Sequence, residues 1–452
     1  MKRLFYRPER GVAADFIPFC ENGVFYLFYL QDYRDHMHCG EGTPWYLITT
    51  KDFVSFEEHG EVLPRGTMDD QDLYVFTGSV SKYAGQYHIW YTGHNPYYPQ
   101  KGLPQEAIMH AVSEDLFHWH KIPQDTFYAP TGYEQNDWRD PFVFADGSNL
   151  RMLLAARSSC GADRYRGLTA QCISSDGVRW EIADPFWAPE LYFTHECPDL
   201  FRIGEWYYLL FSEFSQDKVT RYRMSRSLTG PWLAPPDDRF DGCAYYAAKT
   251  AALGTRRYLF GWLATREGDS DNGAWQWGGC LVVHELVQRQ DGTLAVRIPE
   301  FVHKATRMKA LNEPRTIDGL LCQGRVNYGA LEDVGILDLL IGCDDRSGSI
   351  SVALFADEHL QEGTFVRLDL SRRRMVIDRW PREAHRVFEP GLERPIPRWD
   401  PNGMRLTILI DGTAACAYLD GEEALCFRIY RRSGSQWGIL ADGVKATIQC
   451  YQ

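Results

Sequence analysis

Short aromatic-aliphatic runs return at a nearly even interval through the first two-thirds of the chain, and this recurrence limits the possible folds more than any other feature. The runs are residues 24–29, 86–91, 150–155, 206–211 and 257–262. Anchored at Leu27, Ile89, Leu153, Leu209 and Leu259, they lie 62, 64, 56 and 50 residues apart. A turn signal precedes each one: Glu21-Asn22-Gly23, Ala84-Gly85, Asp146-Gly147-Ser148, Gly204 and Gly254. A polar turn closing on an aromatic follows each of the first four, as in Lys51-Asp52-Phe53 and Glu114-Asp115-Leu116-Phe117. Each unit reads as four antiparallel strands, and five such units in phase predict a five-bladed β-propeller. Unrelated hairpins in a sandwich are the competing arrangement. An aromatic content of 14% and 39 glycines suit short strands and tight turns.

The pattern changes beyond Pro299. Residues 298–319 read as a mildly basic linker containing Pro299 and Pro314. Alternating strands follow, such as 349–355 and 405–410, with hairpin turns at Asp411-Gly412 and Asp420-Gly421. The expected organisation is all-β, a propeller over residues 1–300 and a β-sandwich over 301–452.

Acidic residues outnumber basic ones, 61 to 48, for a net charge of −13. A surface of that sign repels phosphate backbones, which argues against nucleic acid as a partner. No apolar run approaches membrane-spanning length, and the N-terminal Met1-Lys2-Arg3-Leu4-Phe5-Tyr6-Arg7 lacks the apolar core of a signal peptide. The chain therefore reads as cytoplasmic, with no membrane partner. Its 12 cysteines are scattered without zinc spacing and read as free thiols. No metal or cofactor site is signalled, and the oligomeric state is left open.

The repeat also locates a site. In a propeller the innermost strand of each unit faces the axis, so positions 12 or 13 residues before the anchors should converge. They are Asp15, Thr77, Asp140, Glu196 and Tyr246. Three acids aimed at one funnel repel one another and push at least one pKa upward, a device that keeps a general acid protonated near neutrality. Local capping, or pairing with Arg139, is the competing role for these acids.

At these residues the sequence resembles glycoside hydrolase family 32, the β-fructofuranosidases and related fructosyltransferases. Trp138-Arg139-Asp140-Pro141 looks like the family's R-D-P motif and Glu196-Cys197-Pro198-Asp199 like its E-C-P-D motif. Phe76-Thr77-Gly78-Ser79-Val80 and Trp277-Gly278-Gly279 match two further segments. The family's W-M-N-D-P-N-G is represented only by Gly11-Val12-Ala13-Ala14-Asp15-Phe16-Ile17-Pro18. The Asp is kept, and the flanking polar groups are absent. Leu30 stands where the family often carries Gln, although Gln31 follows.

The resemblance implies a retaining mechanism on a terminal β-fructofuranoside of a small carbohydrate. Asp15 would be the nucleophile, Glu196 the acid/base and Asp140 the stabiliser of the oxocarbenium-like transition state, with Arg139 holding its geometry. Asp32 and Asp35 are rivals to Asp15 but fall out of phase. Trp45, Phe76, Ser79 and Trp277 are candidate substrate contacts; for the aromatics, strand core is the alternative. Fructosyl transfer, including formation or cleavage of difructose anhydrides, a pentofuranoside substrate, and a carbohydrate-binding propeller without catalysis are the other readings.

Overall fold

The computed structural model describes residues 3–305, 314–343, 346–382, 389, 391–398, 400 and 403–451. It is nearly all β. Five antiparallel units follow one another. The first comprises β1 (Val12–Glu21), β2 (Val24–Asp32), β3 (Trp45–Thr50) and β4 (Phe56–Leu63). The second holds β5 (Tyr74–Tyr83), β6 (Gln86–His94), β7 (Glu106–Ser113) and β8 (His120–Lys121). Next come β9 (Tyr133–Asp146), β10 (Asn149–Ser158), β11 (Gly167–Ser174) and β12 (Glu181–Ile182). The fourth unit is β13 (Glu196–Ile203), β14 (Trp206–Glu213) and β15 (Val219–Ser225), and the fifth is β16 (Tyr245–Leu253), β17 (Arg256–Arg266), β18 (Trp275–Gln288) and β19 (Leu294–Arg297).

The anchor runs are the second strands. In β6 seven consecutive residues, 87–93, are buried, because both faces of the strand are covered by neighbouring units. That is why these runs read as continuous apolar stretches instead of alternating ones. The fourth unit differs from expectation: its outer strand is reduced to two isolated bridges, Met224 with Leu233 and Arg221 with Arg239. Pro231, Pro235 and Pro236 remove ladder donors from that segment.

The first strands touch in order, β1 with β5, β5 with β9, β9 with β13 and β13 with β16, and β16 returns to β1. The ring is also sewn at its seam, where β1 pairs with β18 through Ala13 and Gly279. Leu281 of β18 donates its backbone N–H to Tyr6 at 2.7 Å, so the N-terminal segment runs along the last unit. Phe25 and Phe53 pack on Tyr258 and Phe260 across the same seam, with ring centroids 4.9 to 5.7 Å apart.

Residues 300–305 form a short helix within the expected linker, whose segment 306–313 lies outside the described residues. Twelve further strands follow: β20 (Arg315–Asp318), β21 (Gly324–Ala330), β22 (Val334–Cys343), β23 (Ser349–Ala356), β24 (Gly363–Asp369), β25 (Arg374–Trp380), β26 (Glu393–Pro395), β27 (Met404–Asp411), β28 (Ala414–Leu419), β29 (Glu423–Arg428), β30 (Gln436–Asp442) and β31 (Lys445–Tyr451). They make two six-stranded sheets, β20-β31-β22-β27-β28-β29 and β21-β30-β23-β24-β25-β26. Ile341 and Ile408 from one sheet share a core with Ile350, Val352 and Ile439 from the other.

Candidate active site

All five first strands break their ladder at corresponding points. The register slips between Ala14 and Ile17, Phe76 and Gly78, Arg139 and Phe142, Glu196 and Asp199, and Tyr246 and Lys249. These are β-bulges, which re-aim side chains that a regular strand would stack. Four open on a left-handed residue: Asp15 (φ 40°), Asp140 (φ 59°), Cys197 (φ 50°) and Ala247 (φ 53°). Non-glycine residues hold such φ values at a cost of about 1–3 kcal/mol each, which the surrounding sheet must offset.

The bulges correct the phase read from the sequence. Asp15 and Asp140 correspond to Cys197 and Ala247, whereas Glu196 and Tyr246 stand one residue earlier, in register with Arg139. The converging groups therefore come from two adjacent positions of the repeat. From the earlier position, Arg139 and Tyr246 both bond to Glu196. Glu196 accepts from Arg139 at 3.0 Å and from the Tyr246 hydroxyl at 2.6 Å. From the bulge position, Asp15 accepts from Thr77 Oγ1 at 2.7 Å and Trp262 Nε1 at 2.8 Å. Asp140 accepts from the backbone N–H of Cys197 at 2.8 Å, a donor turned inward by its left-handed φ.

Burial strips Asp15 of water and raises its pKa to about 6, with Glu196 adding repulsion and Thr77 and Trp262 pulling the other way. Asp140 rises to about 7, again chiefly through burial, with Glu196 and Asp15 raising it and Arg139 and the Cys197 N–H opposing. One guanidinium thus serves a crowd of carboxylates. Arg139 also donates to Asp137 at 2.9 Å and Glu106 at 3.3 Å. Glu106, buried in β7, accepts from Trp138 N at 2.9 Å as well.

The other expected contacts divide. Phe76 stacks on His94 at 4.4 Å and lies 6.3 Å from Trp277, which is partly exposed, so these two stay together. Trp45 does not line the site: it is fully buried between Phe28 and Tyr91, and its indole N–H goes to Val75 O at 3.1 Å. Ser79 is also buried, accepting from Val143 N at 3.0 Å and tying the second unit to the third. Asp32 pairs with Arg34 and Asp35 with His38, apart from the acids. Glu106 and His94 join the site without any signal in the motifs, and Trp262, though part of the family-like Phe260-Gly261-Trp262 segment, carries no sign there of its bond to Asp15, because each role depends on which distant strands become neighbours.

Comparison with known proteins decides the family. The family model described as the glycosyl hydrolases family 32 N-terminal domain matches residues 8–297. The chain belongs to glycosyl hydrolase family 32. This family 32 chain is 25% identical over 412 residues to the sucrose-6-phosphate hydrolase of Escherichia coli, covering 85% of itself and 80% of that protein. It is 24% identical over 443 residues to the Escherichia coli raffinose invertase, covering 92% of itself and 86% of that protein. Among solved structures, fructan 1-exohydrolase IIa from Cichorium intybus has a TM-score of 0.79 at 16% identity, spanning 100% of this chain and 96% of that one. The sucrose-6-phosphate hydrolase of Lactobacillus gasseri has a TM-score of 0.77 at 18% identity, spanning 100% and 93%. The fold is theirs, and the family makes this protein a glycoside hydrolase of the β-fructofuranosidase type.

Among the described residues one cluster has the donor atoms for a metal, the buried Asp241, His284 and Cys426. It lies outside the group of acids, and Asp241 already accepts from Cys426 N at 2.7 Å and His284 at 3.2 Å.

Proposed function

We propose that the five units are the blades of a propeller over residues 1–300, that the two six-stranded sheets form a β-sandwich over 301–452, and that the protein is a retaining β-fructofuranosidase of small sugars. The observation that carries the mechanism is the meeting of Asp15, Asp140 and Glu196 inside one ring of first strands, each held by donors from other units. Asp15 attacks the anomeric carbon and the bond to the leaving oxygen breaks. Glu196 gives that oxygen its proton, then takes one from the incoming water as the second displacement frees the sugar with its configuration retained. Asp140, buried beside both, supports the positive charge that develops at the ring. The names of several relatives, sucrose-6-phosphate hydrolase among them, support a sucrose-like substrate.

The sugar subsite beside Asp15 is poor in polar groups. Ala13, Ala14 and Leu30 are fully buried, and Gln31 spends its amide on Arg10 O at 2.6 Å. Unpaired substrate hydroxyls cost about 1–3 kcal/mol each, so plain sucrose should be a weak substrate.

The test is azide rescue. Glu196→Ala should still load Asp15 from an activated fructoside and stall, and azide should relieve the stall with a fructosyl azide of retained configuration. Asp15→Ala should lose turnover of every substrate. An active Asp15→Ala variant, or an inverted product from the wild type, would refute the assignment.

A further inference from the structure

Where the ring meets the first six-stranded sheet, metal-ligating side chains from both are buried together. Asp241, four residues before β16, and His284 of β18 come from the ring, and Cys426 of β29 comes from the sheet. One ligand atom from each lies within 4.8 Å of the other two, and all three residues are buried. Cys416 of β28 stands directly opposite Cys426 in the ladder, is fully buried, and has its thiol hydrogen-bonded to that of Cys426. The cluster therefore holds two thiols, an imidazole and a carboxylate.

A buried carboxylate is costly unless a cation pairs with it. Among the described residues no Lys or Arg pairs with Asp241, and His284, at 3.2 Å, offsets its charge only when protonated. Arg394, whose charge Asp241 feels, bonds instead to Glu423, Asp237 and the Arg239 carbonyl. Oδ1 of Asp241 accepts from the backbone N–H of Gly242 at 2.6 Å and of Cys426 at 2.7 Å, which fixes the carboxylate and leaves Oδ2 facing His284 Nε2. The other ring nitrogen, Nδ1, meets the Tyr418 hydroxyl at 2.8 Å. Metal-binding histidines are oriented in this manner, one nitrogen on the ion and the other on an outer partner. The 3.2 Å between Oδ2 and Nε2 also approaches one edge of a zinc tetrahedron. Ligand bonds of about 2.0–2.3 Å give edges of about 3.3–3.8 Å.

We infer that Asp241, His284, Cys416 and Cys426 bind one divalent ion of the zinc type, which fastens the ring to the sheet. Two sulfurs, a nitrogen and an oxygen select zinc over magnesium and calcium, which take oxygen ligands. Both thiols release their protons as the sulfurs close on the ion, while Nδ1 carries the imidazole proton and donates it to the Tyr418 oxygen. The site stands apart from the three acids and does not depend on the fructosidase reading.

Metal content and spectra test this without any activity. The untagged full chain would be produced in zinc-replete cells and its metals measured by plasma mass spectrometry, then produced again with cobalt in place of zinc. The first preparation should carry about one zinc per chain, and the second should show a thiolate-to-cobalt charge-transfer band with the strong visible bands of a tetrahedral ion. Cys416→Ser should cut the charge-transfer band by roughly half, and the variant lacking both thiols, Cys416→Ser with Cys426→Ser, should lose band and metal together. A zinc-free chain whose cobalt counterpart lacks the thiolate band overturns the inference. Zinc held undiminished by the double variant also overturns it, since the ion would then sit elsewhere. A disulfide between Cys416 and Cys426, seen as the loss of two hydrogens in the intact mass, does the same. If the variants fail to fold, the wild-type cobalt spectrum decides: its charge-transfer band requires sulfur on the metal, and no second cluster of three metal-ligating residues occurs among the described residues.

Discussion

At Asp15 the carboxylate has lost its water and gained two neutral donors, Thr77 and Trp262. The nucleophile proposed here must be ionised, so the acid limb of kcat/KM should fall near its pKa of about 6. Hydrogen bonds to the charged form lower a pKa. Trp262→Phe should therefore move that limb up by about half a unit to one unit, measurable in a pH–rate profile. An unmoved limb would mean that Asp15 does not govern it. Asp140 makes a different statement. Its folded pKa of about 7 lies above the unfolded value of 3.8. Its contribution to stability is thus fully present below about pH 4 and is lost as pH rises through about 7. Asp140→Asn should abolish most activity yet raise the free energy of urea unfolding above pH 8, by up to ~3 kcal/mol, with no gain below pH 4. Asp15, Asp140, Glu196 and Arg139 were legible because each lies within one residue of a fixed phase of the repeat, and all but Asp15 sit in a kept motif. Trp262 was not, since its partner lies 247 residues away and an indole in an apolar strand reads as core.

The strands were legible as elements, and their bulges were not. Hydrophobic runs and glycine turns mark strands, but a two-for-one mismatch inside a ladder leaves no compositional trace. The one-residue error in phase at Glu196 and Tyr246 came from that source. The polar turns have a clear cause. Asp52, Asp115 and Asp176 each accept from two backbone N–H groups while a Thr or Ser two residues earlier caps the same turn. This is local side-chain capping and needs no distant partner, so it shows in the sequence. Ser79 is the contrary case, a motif residue whose hydroxyl serves a neighbouring unit. Ser79→Ala strands a buried N–H and should cost about 1–3 kcal/mol in chemical denaturation with kcat within twofold. A large loss of kcat at unchanged stability would return Ser79 to the sugar site.

Across the whole molecule, the ring and the two sheets meet through buried polar groups as well as through a shared hydrophobic core. Arg428 of β29 donates to the backbone oxygens of Leu263 at 2.7 Å and Ala264 at 2.9 Å. His284 of β18 bonds to Tyr418 of β28 at 2.8 Å, and Asp241 takes the backbone N–H of Cys426. Removing residues 306–452 would leave these groups without partners, at about 1–3 kcal/mol for each neutral group and more for the charged ones. A chain ending at residue 305 is therefore expected to be insoluble or to bind a hydrophobic dye at 25 °C. A soluble monomer with a sharp thermal transition would contradict that. The number of units and the change of pattern near Pro299 were visible in the sequence; this polar seam was not, because it joins positions more than 100 residues apart.

The pairing of Ala13 with Gly279 has a consequence for biosynthesis. A ribosome delivers Asp15 well before the strand that completes its surroundings, which emerges some 260 codons later. A Cβ on Gly279 would come within 1.8 Å of Leu263 O, so the late strand has little room for error as it docks. Throughout that interval the nascent strand that carries Asp15 has an open edge, the kind of surface that chaperones cover and neighbouring polysome chains can exchange. Of the three converging acids, the first to be translated is among the last to be enclosed.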